Sequence, residues 1–181
     1  MSFERARTVA AAGLVIGALL GMAGSFAPSA EFRGVAWGID GTAIVIASAL
    51  LVVHHVRAGH DQVAAGFLVF LAGQALIVAC SAMELAASAP VFAAGAGLWS
   101  AGLALVSAAR LMPAFVRASG AIASVLLAVT ALESFGGAGL TPLSKPLPFY
   151  AYPFLALTLF GWAWAHVRAR RVTSSQFASD Q

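Results

Sequence analysis

A chain of 181 residues in which 61% are hydrophobic and only 9% are charged is not built for water. A soluble domain carries roughly 25% charged residues, and this chain would leave apolar patches well beyond the roughly few hundred Å² that a soluble monomer tolerates. The net charge of +3 comes from short basic clusters between apolar runs, which argues against a nucleic-acid surface, and the single cysteine, Cys80, excludes an intramolecular disulfide.

A helix needs about 20 mostly apolar residues to cross the hydrocarbon core of a bilayer. In chain order, six runs meet that need: about Val9–Ala27, Trp37–Val56, Val63–Met83, Val91–Leu111, Gly120–Phe135 and Phe149–Val167. Pro28 and Ser29 end the first run. Arg57 to Asp61 separates the second from the third, and Ser88 to Pro90 the third from the fourth. Pro113 to Ser119 is expected to be the next loop, which leaves the fifth run the shortest. The longest connection, about Gly136–Pro148, is rich in Gly and Pro and reads as turns. The runs are apolar all round and do not alternate, so a membrane barrel is not expected. Open strand edges cannot sit in lipid, which leaves helices. The expected fold is all-α: a polytopic membrane helical bundle of six transmembrane helices in one domain over residues 1–181. A short polar tail follows over 168–181.

Basic residues set the expected orientation. With the N-terminus in the cytoplasm, the cytoplasmic segments hold Arg5, Arg7, Arg57, Arg110, Arg117, Arg168, Arg170 and Arg171, and the other side holds only Arg33 and Lys145. In loops this short, that bias places both termini in the cytoplasm. Trp37, Phe149, Tyr150 and Tyr152 near one interface, and Trp162 and Trp164 near the other, fit the same layout. Arg5 and Arg7 followed by an apolar run also resemble a signal peptide. The run is longer than the usual h-region, however, and cleavage after Ala27 would leave Pro28 first, so the first helix is expected to be retained. The excess of Arg over Lys, with abundant Ala and Gly, points to a bacterial genome and hence to an inner membrane. The caps Val56-Arg57-Ala58, Val116-Arg117-Ala118 and Val167-Arg168-Ala169 repeat, but the polar residues between them do not.

Gly13, Gly17 and Gly21 form a small-residue stripe on the first helix. Such a stripe lets a second helix approach closely, either within the chain or from a second copy or another membrane protein. Asp40, Glu84 and Glu133 all fall toward the non-cytoplasmic side. Gln74, Ser81 and Glu84 lie within about 80° of one another on the third helix, a single polar face. Thr130 neighbours Glu133, Thr42 neighbours Asp40, and Arg33 and Lys145 are available counter-ions. The expectation is an outward-facing pocket of converging carboxylates, against the alternative of interfacial carboxylates that only meet water. His54, His55, His60 and His166 all fall toward the cytoplasmic side. They suit helix C-termini. They also contain the imidazole pair that b-type haem would need, or, with Asp61, a divalent-metal set.

No zinc-protease motif, nucleophile elbow or phosphate-binding glycine loop is present, and the intramembrane Ser hydroxyls are expected to bond back to their own helices. The six-short-helix layout is similar, in topology alone, to small bacterial envelope-stress membrane proteins of the acid-resistance type. The expected function is a small multi-pass inner-membrane protein without catalysis, acting as an accessory, envelope-stress or structural component. The alternative is a small transporter or channel-like protein that uses the carboxylate pocket for protons, cations or a small polar ligand. The lipid bilayer is the expected partner, nucleic acid is not, and no cofactor is required unless the histidines hold haem or a metal.

Overall fold

The structure, a computed structural model, describes residues 3–179, with side chains described over 4–168. Six α-helices follow one another: α1 (Phe3–Ser25), α2 (Ala30–Arg57), α3 (Asp61–Ser81), α4 (Ala89–Ala108), α5 (Ala114–Glu133) and α6 (Tyr152–Ser179). Among the described residues there is no strand. Helices α1 to α5 are each long and apolar enough to cross a membrane. Most of the polar tail expected over 168–181 lies outside the described side chains, although α6 itself runs on to Ser179.

Two of the helix starts that differ from the sequence reading have a local cause. Helix α2 starts at Ala30 rather than near Trp37, because the Ser29 side chain accepts a hydrogen bond from the Phe32 N–H at 3.2 Å and satisfies a donor that would otherwise be orphaned. Helix α5 starts at Ala114, directly after Pro113, so the expected loop is helical. Arg117 stays within the helix because its Nε–H donates to the Ser107 carbonyl at 2.8 Å. A π-helical turn over Ser134–Ala138 extends α5, which makes it one of the longer spans rather than the shortest.

Each helix packs antiparallel to its chain neighbour, and α6 closes the ring against α1. Both chain ends therefore lie at one end of the bundle, with the α2–α3 and α4–α5 turns. The other three connections lie at the opposite end. Glycines set the seams. A Cβ on Gly13 would meet the Ala43 carbonyl oxygen at 2.7 Å, one on Gly17 would meet Ile44 Cγ1 at 2.3 Å, and one on Gly21 would meet Asp40 Oδ2 at 3.1 Å. The stripe is thus covered by α2 of the same chain. The α3–α4 seam is equally close: a Cβ on Gly73 would meet the Gly95 carbonyl at 2.9 Å, and one on Gly102 would meet the Gly66 carbonyl at 2.8 Å.

The centre of the ring is aromatic. Trp162, Phe67, Phe70 and Phe92 are all but fully buried. Phe67 and Trp162 meet edge-on at 4.8 Å, Phe70 and Trp162 at 5.5 Å, and Phe70 stacks on Trp99 at 5.9 Å. The outer surface is the reverse, with Leu19, Ile39, Ile46, Leu68 and Val125 exposed along the helices. Hydroxyls stitch adjacent helices as well as their own. Thr158 donates to the Phe154 carbonyl at 2.7 Å within α6, but Ser124, expected to bond back to its own helix, donates across to the Ser100 carbonyl at 2.8 Å, and Ser119 across to Phe154 at 2.9 Å.

Candidate functional site

The aromatic centre divides the interior into two polar regions. At the end away from the termini, a cavity of about 610 Å³, its mouth included, is lined by α1, α2, α3, α4 and α6. Ser25, Ser81 and Pro142 line its outer part, while Ile44 and Leu159 line its inner part. Its walls are mostly apolar and aromatic, with Trp37, Trp99 and Tyr152 among them. Asp40 is the single ionisable carboxyl in the lining.

Sequence explains how Asp40 comes to be there. Gly17 and Gly21 on α1 present bare backbone opposite it, and their missing Cβ atoms leave the space that the carboxyl occupies. Trp37, one turn earlier, donates its indole N–H to the Gly21 carbonyl at 3.3 Å and pins α2 to α1. Asp40 is buried, and no described residue hydrogen-bonds its Oδ1. The indole nitrogen of Trp99, also in the lining, is likewise buried without a described partner. Tyr152 instead donates its hydroxyl to the Pro142 carbonyl at 2.7 Å, which ties the loop before α6 over the cavity.

The three carboxylates expected to share a pocket do not come together. Asp40 is inside, but Glu84 and Glu133 are exposed and neither lines the cavity. Helix α3 ends at Ser81, so Glu84 lies in the turn beyond it and the polar stripe loses its last member. Ser81 lines the cavity while donating to the Val78 carbonyl at 2.7 Å. Gln74 is only 1% exposed and faces α2 near Gly41, with both amide atoms lacking a described partner. Thr42 donates to the Gly38 carbonyl and Thr130 to the Leu126 carbonyl, each on its own helix. Arg33 lies over the Trp37 ring and Lys145 over the Phe149 ring rather than beside the outer glutamates.

At the termini end the four histidines do come together. His54 and His55 are consecutive on α2 and diverge by about 100°. Both nevertheless meet His166 of α6, with ring centroids 5.9 and 5.3 Å away. One ring nitrogen from each of His54, His55 and His166 lies within 4.8 Å of the other two. His60 joins through the turn that ends α2. Gly59 takes φ +71°, the His60 N–H bonds back to the His55 carbonyl at 2.9 Å, and the Gly59 N–H bonds to the Val56 carbonyl at 3.1 Å. This is the Schellman arrangement, which needs a glycine at the left-handed position, and it brings the His60 ring onto His55.

The ring nitrogens form a chain. His60 Nδ1 lies 3.4 Å from His55 Nδ1, His55 Nε2 lies 3.1 Å from His166 Nε2, and His166 Nδ1 lies 2.7 Å from the Trp162 carbonyl. A carbonyl only accepts, so His166 carries its proton on Nδ1 and presents a lone pair at Nε2. His55 therefore donates from Nε2, and His60 donates to His55 Nδ1. Phe67 stacks on His55 at 5.5 Å, and Arg7 donates to the His166 carbonyl oxygen. His55 and His166 touch directly, and Phe67 and Trp162 pack beside them, so a porphyrin ring has no space between these two ligands. Asp61 opens α3 and is not part of the nitrogen cluster. Sequence spacing brings out the histidines' common depth. It misses the Gly59 turn, which recruits His60, and the Trp162 carbonyl, which sets the tautomer. No protein-family model, no curated protein and no solved structure matches this chain.

Proposed function

We propose that this chain is a small bacterial inner-membrane protein without catalysis that binds one small amphiphilic molecule in the Asp40 cavity. In this reading all six helices cross the membrane, both termini are cytoplasmic and the cavity faces outward. The distribution of Arg supports that orientation, and the apolar mid-helix surface supports contact with lipid. Helix α1 supplies the Gly17 and Gly21 cradle, which supports its retention in the working protein.

The observation that carries the reading is Asp40 itself: a buried carboxyl, one oxygen without a described partner, inside a cavity with mostly apolar walls. Burying an unpaired carboxyl is costly, and a ligand donor would offset that cost. Small-molecule sites are commonly apolar with a few placed polar groups. The matching ligand has a hydrocarbon or aromatic body and a cationic or hydrogen-bond-donating head. A hard metal cation is a poor fit, because it needs six or more oxygen ligands and the lining offers mainly Asp40 and Ser81. The aromatic centre closes the inner end, which supports a one-sided binding pocket over an open channel.

The test is native mass spectrometry of the protein extracted gently from its own membrane, together with thermal melting against a phenylalkylamine. A retained small amphiphile, and an amine-dependent rise in Tm that disappears in Asp40→Asn, are the expected results. With neither, the protein is better read as an accessory, envelope-stress or structural component that holds no ligand.

A further inference from the structure

We propose that His54, His55 and His166 form a binding site for one divalent first-row transition-metal ion, zinc or a close neighbour, that clamps α2 to α6 at the termini end of the bundle. The site is independent of the Asp40 cavity, with the aromatic centre lying between the two.

Ligand chemistry comes first. Imidazole nitrogen suits zinc, copper, nickel and cobalt, and three histidines with an open fourth position are a recurring zinc set. With metal–nitrogen bonds of about 2.0–2.1 Å, two nitrogens on a tetrahedral ion sit about 3.3 Å apart. His55 Nε2 and His166 Nε2 are already 3.1 Å apart. The widest separation in the triad is no more than 4.8 Å, so a closure of about 1.5 Å (4.8 less 3.3) completes the set, within reach of small side-chain rotations.

Support around the ligands points the same way. A metal-binding histidine characteristically donates its other ring N–H to a carbonyl or a similar group. His166 does so already, from Nδ1 to the Trp162 carbonyl at 2.7 Å, which aims its lone pair at the cluster. His55 has His60 Nδ1 at 3.4 Å. When His55 Nε2 takes the metal, its proton moves to Nδ1, His60 shifts its own proton from Nδ1 to Nε2, and the bond between the two rings reverses direction. Phe67 stacked on His55 holds that ring in plane. A recess lined by Glu4, Arg7, Thr8, His166 and Val167 borders the site at His166 from the termini end. Arg7 there opposes a cation and Glu4 favours one.

A proton relay along His60, His55 and His166 is the competing use of the same chain. It stops at the Trp162 carbonyl, which cannot accept and pass on a proton, so the chain leads nowhere.

The experiment uses the full chain carrying an affinity tag without histidine, stripped with chelator and titrated with Co²⁺. One equivalent should bind, giving the d–d bands of a nitrogen-ligated ion, and Zn²⁺ should displace it. X-ray absorption of the zinc form should show an imidazole shell of three nitrogens. His55→Gln and His166→Gln should weaken binding at least about 100-fold, and His60→Ala about 10- to 100-fold through loss of support to His55. Zn²⁺ should raise the Tm of the unaltered chain and not that of His166→Gln. Absence of saturable 1:1 binding, or affinity unchanged in His166→Gln, would overturn the site. So would a thiolate charge-transfer band, which would assign the ion to Cys80. If the variants do not fold, the absorption spectrum of the unaltered chain decides the matter alone.

Discussion

The two polar regions of this bundle satisfy their groups in opposite ways. At the end away from the termini Asp40 stands alone, with no described partner for Oδ1 and an apolar cavity in front of it. At the termini end His60, His55 and His166 hand hydrogen bonds along a chain that closes on a backbone carbonyl. A polar group buried without a partner carries a standing cost, whereas a satisfied network is stabilising and rigid. The difference suggests what each end awaits. Asp40 awaits a donor from outside the chain. The chain of His60, His55 and His166 is closed without a ligand and can exchange one internal bond for a metal.

The largest expected effect decides which end faces which compartment. A reporter active only outside the cytoplasm should be silent when fused after Gln181 and active when inserted near Gly139. The reverse pattern would exchange the two ends and put the Asp40 cavity on the cytoplasmic side.

Next in size is the aromatic centre that separates the ends. Trp162→Ala removes a side chain that is 1% exposed and should cost about 3–5 kcal/mol through the cavity it leaves, measured by chemical denaturation in detergent. A loss below about 1 kcal/mol would mean that the centre repacks and the two regions are not separated by a rigid plug.

The sharpest comparison is one of sign. His55→Ala leaves His166 Nε2 and the His60 ring without their shared partner and should destabilise by about 1–3 kcal/mol. Asp40→Asn replaces a carboxyl whose buried oxygen has no described partner, so the melting temperature without ligand should stay level or rise. A fall in both variants would show that Asp40, too, is structurally satisfied, and would remove the reason to expect a ligand there. The smallest effect is expected at Glu84→Gln and Glu133→Gln. Both residues are exposed, so neither change should shift thermal stability measurably between roughly pH 5 and 8. A pH-dependent shift in either would restore the shared-carboxylate pocket.

Much of the fold is legible because each link is local. Apolar runs mark the helices and the Arg57 to Asp61 break marks a stop, whereas the starts of α2 after Ser29 and of α5 after Pro113 lie earlier than hydropathy alone places them. Where the reading slipped, at the start of α5, Arg117 looked like loop chemistry because its acceptor, the Ser107 carbonyl, belongs to another helix. The acidic residues slipped for a related reason. Glu84 falls on the stripe with Gln74 and Ser81 only if α3 continues past Ser81, and it does not. Shared sidedness is a one-dimensional property; convergence also needs the right azimuth on each helix.

By itself the sequence determined the apolar, helical class and the level of most polar residues along their helices. Those follow from hydropathy and from the need to satisfy backbone groups within each segment. Only the tertiary structure decided which residues at one depth meet. It closed α6 onto α1, laid Asp40 over Gly17 and Gly21, and left Glu133 exposed. It also set His166 between two histidines that diverge on their own helix. Those outcomes depend on the rotation of each helix about its axis, which is set by close packing at the glycine seams and by the aromatic residues that fill the ring.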